Sequence, residues 1–342
     1  MKICIVGAGA IGGYLGTRLA LAGEEVTYLA RGENLAAIRD HGMRILHGDG
    51  REEIVQRNVS ATDWGGAGEY DLVILTVKAH QLGEIADRIE SLCHADTVIL
   101  PMQNGLPFWY FSNHGGELEG RSLEAVDPGG KISAAIDARR IIGCVVFIAA
   151  MRVGPGVVRY MGSNRFPMGE LDGRTTPRIE KISAAFVRAG FEAPIHADIR
   201  DEVWLKLWGN VSFNPISSLT HATLSVICTD PDGRSLAARM MAETQAIAEK
   251  LGIRFRLSID QRLDGAARVG CHKTSMLQDV EAGRALELDA LVGSVVELGA
   301  LVGVATPTIH AIYQAAKLLD RSMLADRVSV RTVPLGDELT SI

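Results

Sequence analysis

The start of the chain joins a short apolar segment to a glycine-rich turn and a helix-forming segment. Residues 2–6 are β-branched and apolar, residues 7–12 read Gly-Ala-Gly-Ala-Ile-Gly, and residues 14–22 are rich in Ala and Leu. A strand, a turn with three glycines in this spacing and a helix are typical of the unit that binds the pyrophosphate of a dinucleotide. The helix N-terminus adds free N–H groups and a partial positive charge. The sequence therefore predicts a parallel α/β domain. The predicted phosphate contacts are Gly7, Ala8, Gly9, Ala10, Ile11 and Gly12.

Arg31 stands just past the second predicted strand, residues 25–29. In NAD sites this position usually holds an acidic residue that binds the ribose 2′-hydroxyl. An arginine suits a 2′-phosphate, which it can hold with two parallel hydrogen bonds. The alternative is an ordinary surface arginine in a loop. The position at the tip of a strand favours NADP(H), with Arg31 as a cofactor contact.

The composition is that of an ordinary globular protein of two-domain size. The 342 residues suffice for two domains that each bury a core. A formal net charge of -6 argues against nucleic acid or an anionic membrane as the main partner. The five cysteines are scattered without a C-x-x-C pair, and the nine histidines form no metal-binding cluster. These features predict a reduced, cytoplasmic protein with no metal, no signal peptide and no membrane span.

Two polar residues follow apolar strand segments in the first half. Lys78 comes after residues 71–77, and Asn104 comes shortly after residues 97–101. Ligands of open α/β sheets bind beyond the carboxyl ends of strands, so both residues are predicted to face the cofactor site. For Asn104 the alternative is a plain Asn-Gly turn. Residues 106–140 then form a segment that is long for a loop, and the sequence leaves its role open.

The second half changes character, because strand-like segments stop and helical patterns take over. The sequence predicts a dinucleotide-binding domain over residues 1–197 and an all-helical domain over residues 198–342. The first helix of the latter carries Lys206, Asn210 and Asn214, which share one face because they are four residues apart. The helix is otherwise mostly apolar, and a buried ammonium without partners is costly, so the stripe favours a polar cleft. The alternative is a solvent-facing stripe.

Two further polar residues lie at the starts of predicted helices. Thr274 or Ser275 would cap the helix that follows them. Glu287 begins another helix, where an acidic side chain interacts favourably with the helix dipole. Each residue is therefore explained without a ligand by its local pattern.

Taken in order, these motifs resemble the ketopantoate reductase (2-dehydropantoate 2-reductase) family. The resemblance implies an N-terminal Rossmann domain and an all-helical C-terminal domain like that of 6-phosphogluconate dehydrogenase, with the active site in the cleft between them. Residues 106–140 depart from the usual family pattern by their length. The markers are the glycine turn, Arg31, Val77-Lys78-Ala79, Gln103-Asn104-Gly105, Lys206 with Asn210 and Asn214-Pro215, Ser275-Met276-Leu277-Gln278-Asp279, and Glu287-Leu288-Asp289.

The resemblance implies NADPH-dependent reduction of 2-dehydropantoate to pantoate, in pantothenate and coenzyme A biosynthesis. An ammonium at the ketone oxygen would stabilise the alkoxide that hydride addition creates and deliver a proton to it. The implied roles are Lys206 as general acid, Glu287 as a catalytic residue that binds the substrate hydroxyl, Asn210 and Asn214 as substrate-orienting residues, Ser275 as a carboxylate contact, and Lys78 and Asn104 as cofactor-side residues.

Three other interpretations stay open from the sequence. In the first, the protein is a reductase of another 2-oxo acid. In the second, it is a β-hydroxy acid or opine-type dehydrogenase. In the third, it is a regulatory protein that senses NADP without turnover. The residues around Ser275 and Glu287 count against the second, and Lys206 counts against the third, because a sensor needs no proton donor. The expected partners are a small-molecule 2-oxo acid and a second copy bound through the helical domain.

Overall fold

The computed structural model describes residues 1–332 of the chain. The chain divides into two compact units, residues 1–203 and the residues from Trp204 onward. The domain limits 1–197 and 198–342 stay a prediction, because compactness alone does not show which segments fold independently.

The first unit is an α/β structure with three sheets. Its strands are β1 (Lys2–Val6), β2 (Glu25–Leu29), β3 (Met43–Leu46), β4 (Glu52–Val55), β5 (Val59–Thr62), β6 (Tyr70–Leu75), β7 (Cys93–Pro101), β8 (Ile142–Cys144), β9 (Phe147–Gly154), β10 (Val157–Arg165) and β11 (Met168–Glu170). Its helices are α1 (Ala10–Leu21), α2 (Gly32–His41), α3 (Ala79–Ile89), α4 (Lys131–Ala135) and α5 (Pro177–Arg188). Short 3-10 turns span Trp64–Gly66, Glu90–Leu92, Gly116–Leu118, Pro128–Gly130 and Ala138–Arg140.

The central sheet has the order β5-β2-β1-β6-β7, and every pair of neighbours is parallel. The other two sheets have the orders β4-β3-β10-β9 and β11-β8. Strand β1 is apolar over Ile3–Val6 and buried there, as expected for a parallel sheet covered on both faces. The chain leaves β1 towards β2 on one side and reaches β6 on the other, so β1 lies at the switch point where such sheets bind ligands. The predicted Rossmann fold is confirmed.

Residues 106–140 are packed rather than open. Trp109, Tyr110 and Phe111 are each 1% exposed, so these aromatic side chains contribute to the core. Arg200 donates from Nε to the carbonyl oxygen of Tyr110 at 2.9 Å and from Nη2 to that of Ser112 at 2.7 Å. This arginine therefore ties the segment to the helix that begins at Arg200.

The second unit contains helices and no strand among its described residues. They are α6 (Arg200–Thr220, which starts in the first unit), α7 (Leu224–Thr229), α8 (Pro231–Lys250), α9 (Ile259–Ala267), α10 (Ser275–Glu281), α11 (Ser294–Val302) and α12 (Pro307–Asp326), with a π-helical turn over Asp289–Gly293. The predicted helical second half is confirmed. Helix α6 continues past Pro215, because buried residues on both sides of the proline hold it in a helical path. Across residues 1–332, no helix is both long and apolar enough to cross a bilayer.

Candidate functional site

The glycine turn joins β1 to α1 at the carboxyl edge of the central sheet. Gly7 has φ +105°, a backbone conformation that favours glycine. A Cβ added at Gly12 would lie 2.2 Å from the carbonyl oxygen of Gly7 and 2.3 Å from Oγ1 of Thr76, so a hydrogen is required there. A Cβ added at Gly9 would meet no protein atom within 4 Å. The turn itself therefore requires Gly7 and Gly12, whereas the open side of Gly9 offers room for a ligand against the backbone.

Two side chains that the sequence reasoning missed hold this turn in place. The Thr76 hydroxyl donates to the carbonyl oxygen of Gly7 at 2.6 Å. Nδ2 of Asn34 donates to the carbonyl oxygen of Ala8 at 2.9 Å, and its Oδ1 accepts from the Gly156 N–H at 2.8 Å. These bonds fix the carbonyl groups of the turn on the protein side.

The strand ends beside the turn are also connected. Nε2 of Gln103 donates to the carbonyl oxygens of Leu75 at 2.9 Å and Val77 at 3.1 Å, which links the end of β7 to the end of β6. The predicted residues Lys78 and Asn104 adjoin these linked ends, and both are partly buried. Because β2, β1, β6 and β7 are consecutive parallel strands, the structure brings the glycine turn, Lys78 and Asn104 to one edge of the sheet.

The two predicted phosphate-binding features of the first unit fit a phosphorylated dinucleotide. No side chain caps the N-terminus of α1, so the first N–H groups of the helix remain for an anion. Arg31 is exposed, and within residues 1–332 its guanidinium has no hydrogen-bond or ion-pair partner. It directly precedes α2, at the tip of β2. These residues therefore suit NADP(H) by their donor groups and by the open side of Gly9.

In the second unit, α6 carries Lys206, Asn210 and Asn214 on one face, as their spacing predicts. Asn214 is 5% exposed, and Lys206 and Asn210 are partly buried. The stripe is therefore not an ordinary solvent-facing one. Trp204 and Trp208 on the same helix are fully buried, which fixes the orientation of the helix within its unit.

Thr274 and Ser275 have different roles in the start of α10. The Thr274 hydroxyl accepts a hydrogen bond from the Leu277 N–H at 3.2 Å, so Thr274 is the cap. Ser275 is the first residue of the helix and is exposed. The hydroxyl of Ser275 is therefore not used for capping, which leaves the predicted contact with a substrate carboxylate chemically feasible.

Glu287 lies in a segment that α12 holds from both sides. The Leu286 N–H donates to Oδ1 of Asp320 at 3.0 Å. Asp289, two residues past Glu287, accepts hydrogen bonds from the Tyr313 hydroxyl and from Nζ of Lys317, the latter at 2.9 Å.

We name Tyr313, Lys317 and Asp320 the α12 clamp. Burial and the adjacent Asp289 carboxylate raise the pKa of Tyr313, which keeps its hydroxyl protonated as a donor. A Cβ at Gly293, the last residue of the π-helical turn, would lie 2.8 Å from the Tyr313 hydroxyl oxygen. The clamp was missed in the sequence, although its spacing of four and three residues on one helical face is visible there.

The residues described contain no candidate metal centre. Within residues 1–332, no group of three or more His, Cys, Asp or Glu side chains is placed to hold a metal ion. All five cysteines are free thiols, and four of them are buried.

Two family models match the chain. The model for ketopantoate reductase PanE/ApbA matches residues 3–173, and that for the ketopantoate reductase PanE/ApbA C terminal matches residues 198–320. Together they cover both units.

Individual relatives match over nearly their whole length. A 2-dehydropantoate 2-reductase of Mesorhizobium japonicum is 48% identical over 320 residues, which are 93% of this chain and 98% of that protein. A crystal structure from Ralstonia solanacearum MolK2, provisionally described as a ketopantoate reductase, has a TM-score of 0.89 and 42% identity over 94% of this chain and 98% of that one. The 2-dehydropantoate 2-reductase of Geobacter metallireducens GS-15 has a TM-score of 0.79 and 28% identity over 96% of this chain and all of that one.

Proposed function

The chain belongs to the ketopantoate reductase family, and we propose that it reduces 2-dehydropantoate to pantoate with NADPH. The observation that carries this proposal is the 48% identity, over 93% of the chain, to a protein named 2-dehydropantoate 2-reductase. The reaction would serve the synthesis of pantothenate and coenzyme A. A dehydrogenase of the β-hydroxy acid or opine type is disfavoured by the same match.

The first unit would hold the cofactor through its glycine turn and Arg31. The pyrophosphate would lie along the open side of Gly9 at the N-terminus of α1, and the guanidinium of Arg31 would hold the 2′-phosphate. Lys78 and Asn104, which adjoin the linked ends of β6 and β7, would contact the cofactor. When bound, NADPH supplies the hydride.

Lys206 would act as the general acid of the reduction. Negative charge develops on the ketone oxygen as the carbon accepts the hydride, and an ammonium there stabilises that charge and then donates a proton. Asn210 and Asn214 project from the same face of α6, so their amide groups can orient the substrate beside Lys206. The partly buried position of Lys206 supports this role, since water competes less for the ammonium there.

Ser275 and Glu287 would bind the remaining polar groups of the substrate. The Ser275 hydroxyl, which is not used for capping, can donate to the carboxylate. Glu287 can accept a hydrogen bond from the substrate hydroxyl, and the α12 clamp would hold it in position. A carboxylate at this place favours substrates with a hydroxyl group over simple 2-oxo acids.

The test of the reaction is NADPH consumption by the purified protein, with 2-dehydropantoate compared with pyruvate and 2-oxoisovalerate. We expect 2-dehydropantoate to have the highest kcat/KM. Lys206→Ala should lower turnover by about 10²- to 10⁴-fold without loss of NADPH binding. Lys250→Ala, which removes an exposed lysine at the end of α8, is the matched control and should retain activity. Unchanged turnover in Lys206→Ala would remove Lys206 from the mechanism.

The test of the cofactor is the ratio of NADPH to NADH affinity. Arg31→Glu should weaken NADPH binding by about 10- to 100-fold, since a charge-assisted contact of about 1.5 to 3 kcal/mol is lost and a repulsion is added. NADH binding should change little. Arg57→Glu alters an equally exposed arginine in a turn away from the strand end and serves as control. An unchanged ratio in Arg31→Glu would refute the assignment of the 2′-phosphate contact.

One observation favours a second substrate assignment within the same class. Residues 106–140 begin two positions after Asn104 and are packed, with Trp109, Tyr110 and Phe111 in the core. If another 2-oxo acid exceeds 2-dehydropantoate in kcat/KM, the reductase chemistry stands and this segment becomes the candidate specificity element. NADPH binding without turnover of any 2-oxo acid would instead support an NADP-sensing protein.

We further propose a cytoplasmic location and a homodimer formed through the helical unit. Five unpaired thiols support a reducing compartment. The dimer stays a prediction that sedimentation of the purified protein would test.

A further inference from the structure

Helix α9 carries charged side chains of both signs. Asp260 and Asp264 accept hydrogen bonds from the guanidinium of Arg234 in α8, at 2.8 and 2.9 Å. Arg262 lies on the opposite side of α9 from these two carboxylates, and Arg268 is the residue that ends the helix. Within residues 1–332, neither carboxylate pairs with Arg262 or Arg268, because both bind Arg234.

Arg262 is a partly buried cation without a hydrogen-bond or ion-pair partner among residues 1–332. Within residues 1–332 no acceptor binds its guanidinium, and its Nε is buried with no hydrogen bond. Burial lowers the pKa of Arg262, and the nearby Cys228 thiol opposes that effect. Buried charges in proteins are normally paired and hydrogen-bonded, so an arginine in this state calls for an explanation.

The surroundings of Arg262 are shaped to receive its guanidinium. A Cβ at Gly209 of α6 would lie 2.5 Å from Nη2 of Arg262, so the guanidinium occupies the space that a side chain would take. The Phe213 ring lies 5.9 Å from Cζ of Arg262. A cation–π contact at this distance returns only a small part of the cost of desolvating the ion. Packing alone therefore does not account for the arginine.

Arg262 lies in a surface groove of about 310 Å³, which we name the α9 groove. The groove is lined by Leu257, Gln261, Arg262, Gly265 and Arg268. Its volume is at the lower end of the range for sites that bind small molecules. The groove has two cationic side chains, Arg262 and Arg268. Leu257, which is 44% exposed, forms its apolar wall.

Gln261 adds a hydrogen-bond donor to this groove. Its Oε1 accepts from the Ser258 N–H at 2.9 Å in the cap of α9. That bond orients the amide, whose nitrogen has no partner among the residues that the structure describes.

We propose that the α9 groove binds a small molecule through a carboxylate or phosphate group held between Arg262 and Arg268. The planar fork of an arginine matches the paired oxygens of either group, and a bound anion would supply the missing partner of the desolvated guanidinium. The ligand would be compact, with one oxyanion and a short apolar portion against Leu257. This site does not depend on the proposed reaction.

The test compares wild type with Arg262→Met, which retains much of the packing volume and removes the charge. Thermal unfolding and calorimetric titration are done with inorganic phosphate and, separately, with succinate. Saturating NADP⁺ is present throughout to occupy the cofactor phosphate sites, and ionic strength is held constant with NaCl. General salt effects act on both proteins and cancel in the comparison.

Without anion, Arg262→Met should unfold at the same or a higher temperature, since an unpaired buried charge is removed. At ten times the dissociation constant, phosphate or succinate should raise the unfolding midpoint of wild type about 2 to 4 °C more than that of the variant. Arg268→Gln, an exposed change that spares the fold, should weaken binding by about tenfold. Arg256→Gln removes an exposed charge just outside the groove and should bind like wild type.

A response to one anion alone identifies the head group and supports the site. If Arg262→Met fails to fold, the anion affinities of Arg268→Gln and Arg256→Gln still test the proposal. Both variants should fold, because both positions are exposed. Equal responses of wild type, Arg268→Gln and Arg262→Met to both anions would overturn the proposal.

Discussion

Gly9→Ala and Gly12→Ala form a pair that separates binding of the cofactor from stability of the fold. Gly9 has φ −81° and ψ −156°, which alanine adopts without strain, and its added methyl group meets no protein atom within 4 Å. The added methyl group of Gly12→Ala meets two oxygens at 2.2 and 2.3 Å and Cγ2 of Ile5 at 2.8 Å. The two substitutions add the same methyl group at positions three residues apart. At Gly9 the group enters open space, and at Gly12 it enters a crowded one.

The geometry gives the expected magnitudes. Of the three atoms near the new methyl group of Gly12→Ala, one is the Gly7 carbonyl oxygen of the turn and one is the Thr76 hydroxyl bonded to it, so the backbone must move. Overpacking of this kind costs about 1 to 3 kcal/mol, which lowers the unfolding midpoint by about 2 to 10 °C. Gly9→Ala should change stability by less than about 0.5 to 1 kcal/mol. Its methyl group would instead displace the pyrophosphate from the backbone N–H groups. Loss of one such charge-assisted bond weakens NADPH binding by about 10- to 100-fold.

Two assays on each variant decide the question. Thermal unfolding without cofactor measures stability, and fluorescence titration with NADPH measures affinity. We expect Gly9→Ala to lose affinity at unchanged stability and Gly12→Ala to lose stability. If Gly9→Ala binds NADPH as wild type does, the open side of Gly9 is not the pyrophosphate site, and the assignment of the turn is refuted.

Three further tests examine how the surrounding structure supports the site. Arg200→Met should destabilise the protein by about 3 kcal/mol or more, since it leaves buried carbonyl groups unpaired, whereas the exposed Arg174→Met should not; chemical denaturation measures both. Thr274→Val should cost about 1 kcal/mol of stability through loss of the helix cap, while Ser275→Ala should raise KM at unchanged stability. Tyr313→Phe should lower kcat/KM several-fold with little change in the unfolding midpoint, because it loosens the segment that carries Glu287; an unchanged kcat/KM contradicts that role.

Local patterns accounted for the parts of the site that lie within one element. The glycine turn was predictable because three glycines between a strand and a helix constrain a dozen consecutive residues. The shared face of Lys206, Asn210 and Asn214 followed from their spacing once a helix was predicted. The first inference uses the spacing of the glycines and the second uses the periodicity of the helix, and both are local.

The contacts that hold these parts in place were not predictable, because they join distant positions. Asn34 connects Ala8 to Gly156, which is 122 residues away from it, and Arg200 binds a carbonyl 90 residues earlier in the chain. No local pattern specifies such pairs. The form of residues 106–140 was left open for the same reason, because Arg200 and the buried aromatic side chains determine it.

The two units share one way of positioning functional groups. In the first, Thr76, Asn34 and Gln103 bind backbone carbonyl groups beside the glycine turn rather than a ligand. In the second, Asp320 and Tyr313 bind Leu286 and Asp289, which lie on either side of Glu287 in the chain. Side chains that fix the backbone limit the movement of the side chains beside it, and rate depends steeply on such placement. Substitutions at these supporting residues should therefore reduce kcat/KM more than they reduce stability, although only Gln103 among them belongs to one of the family markers.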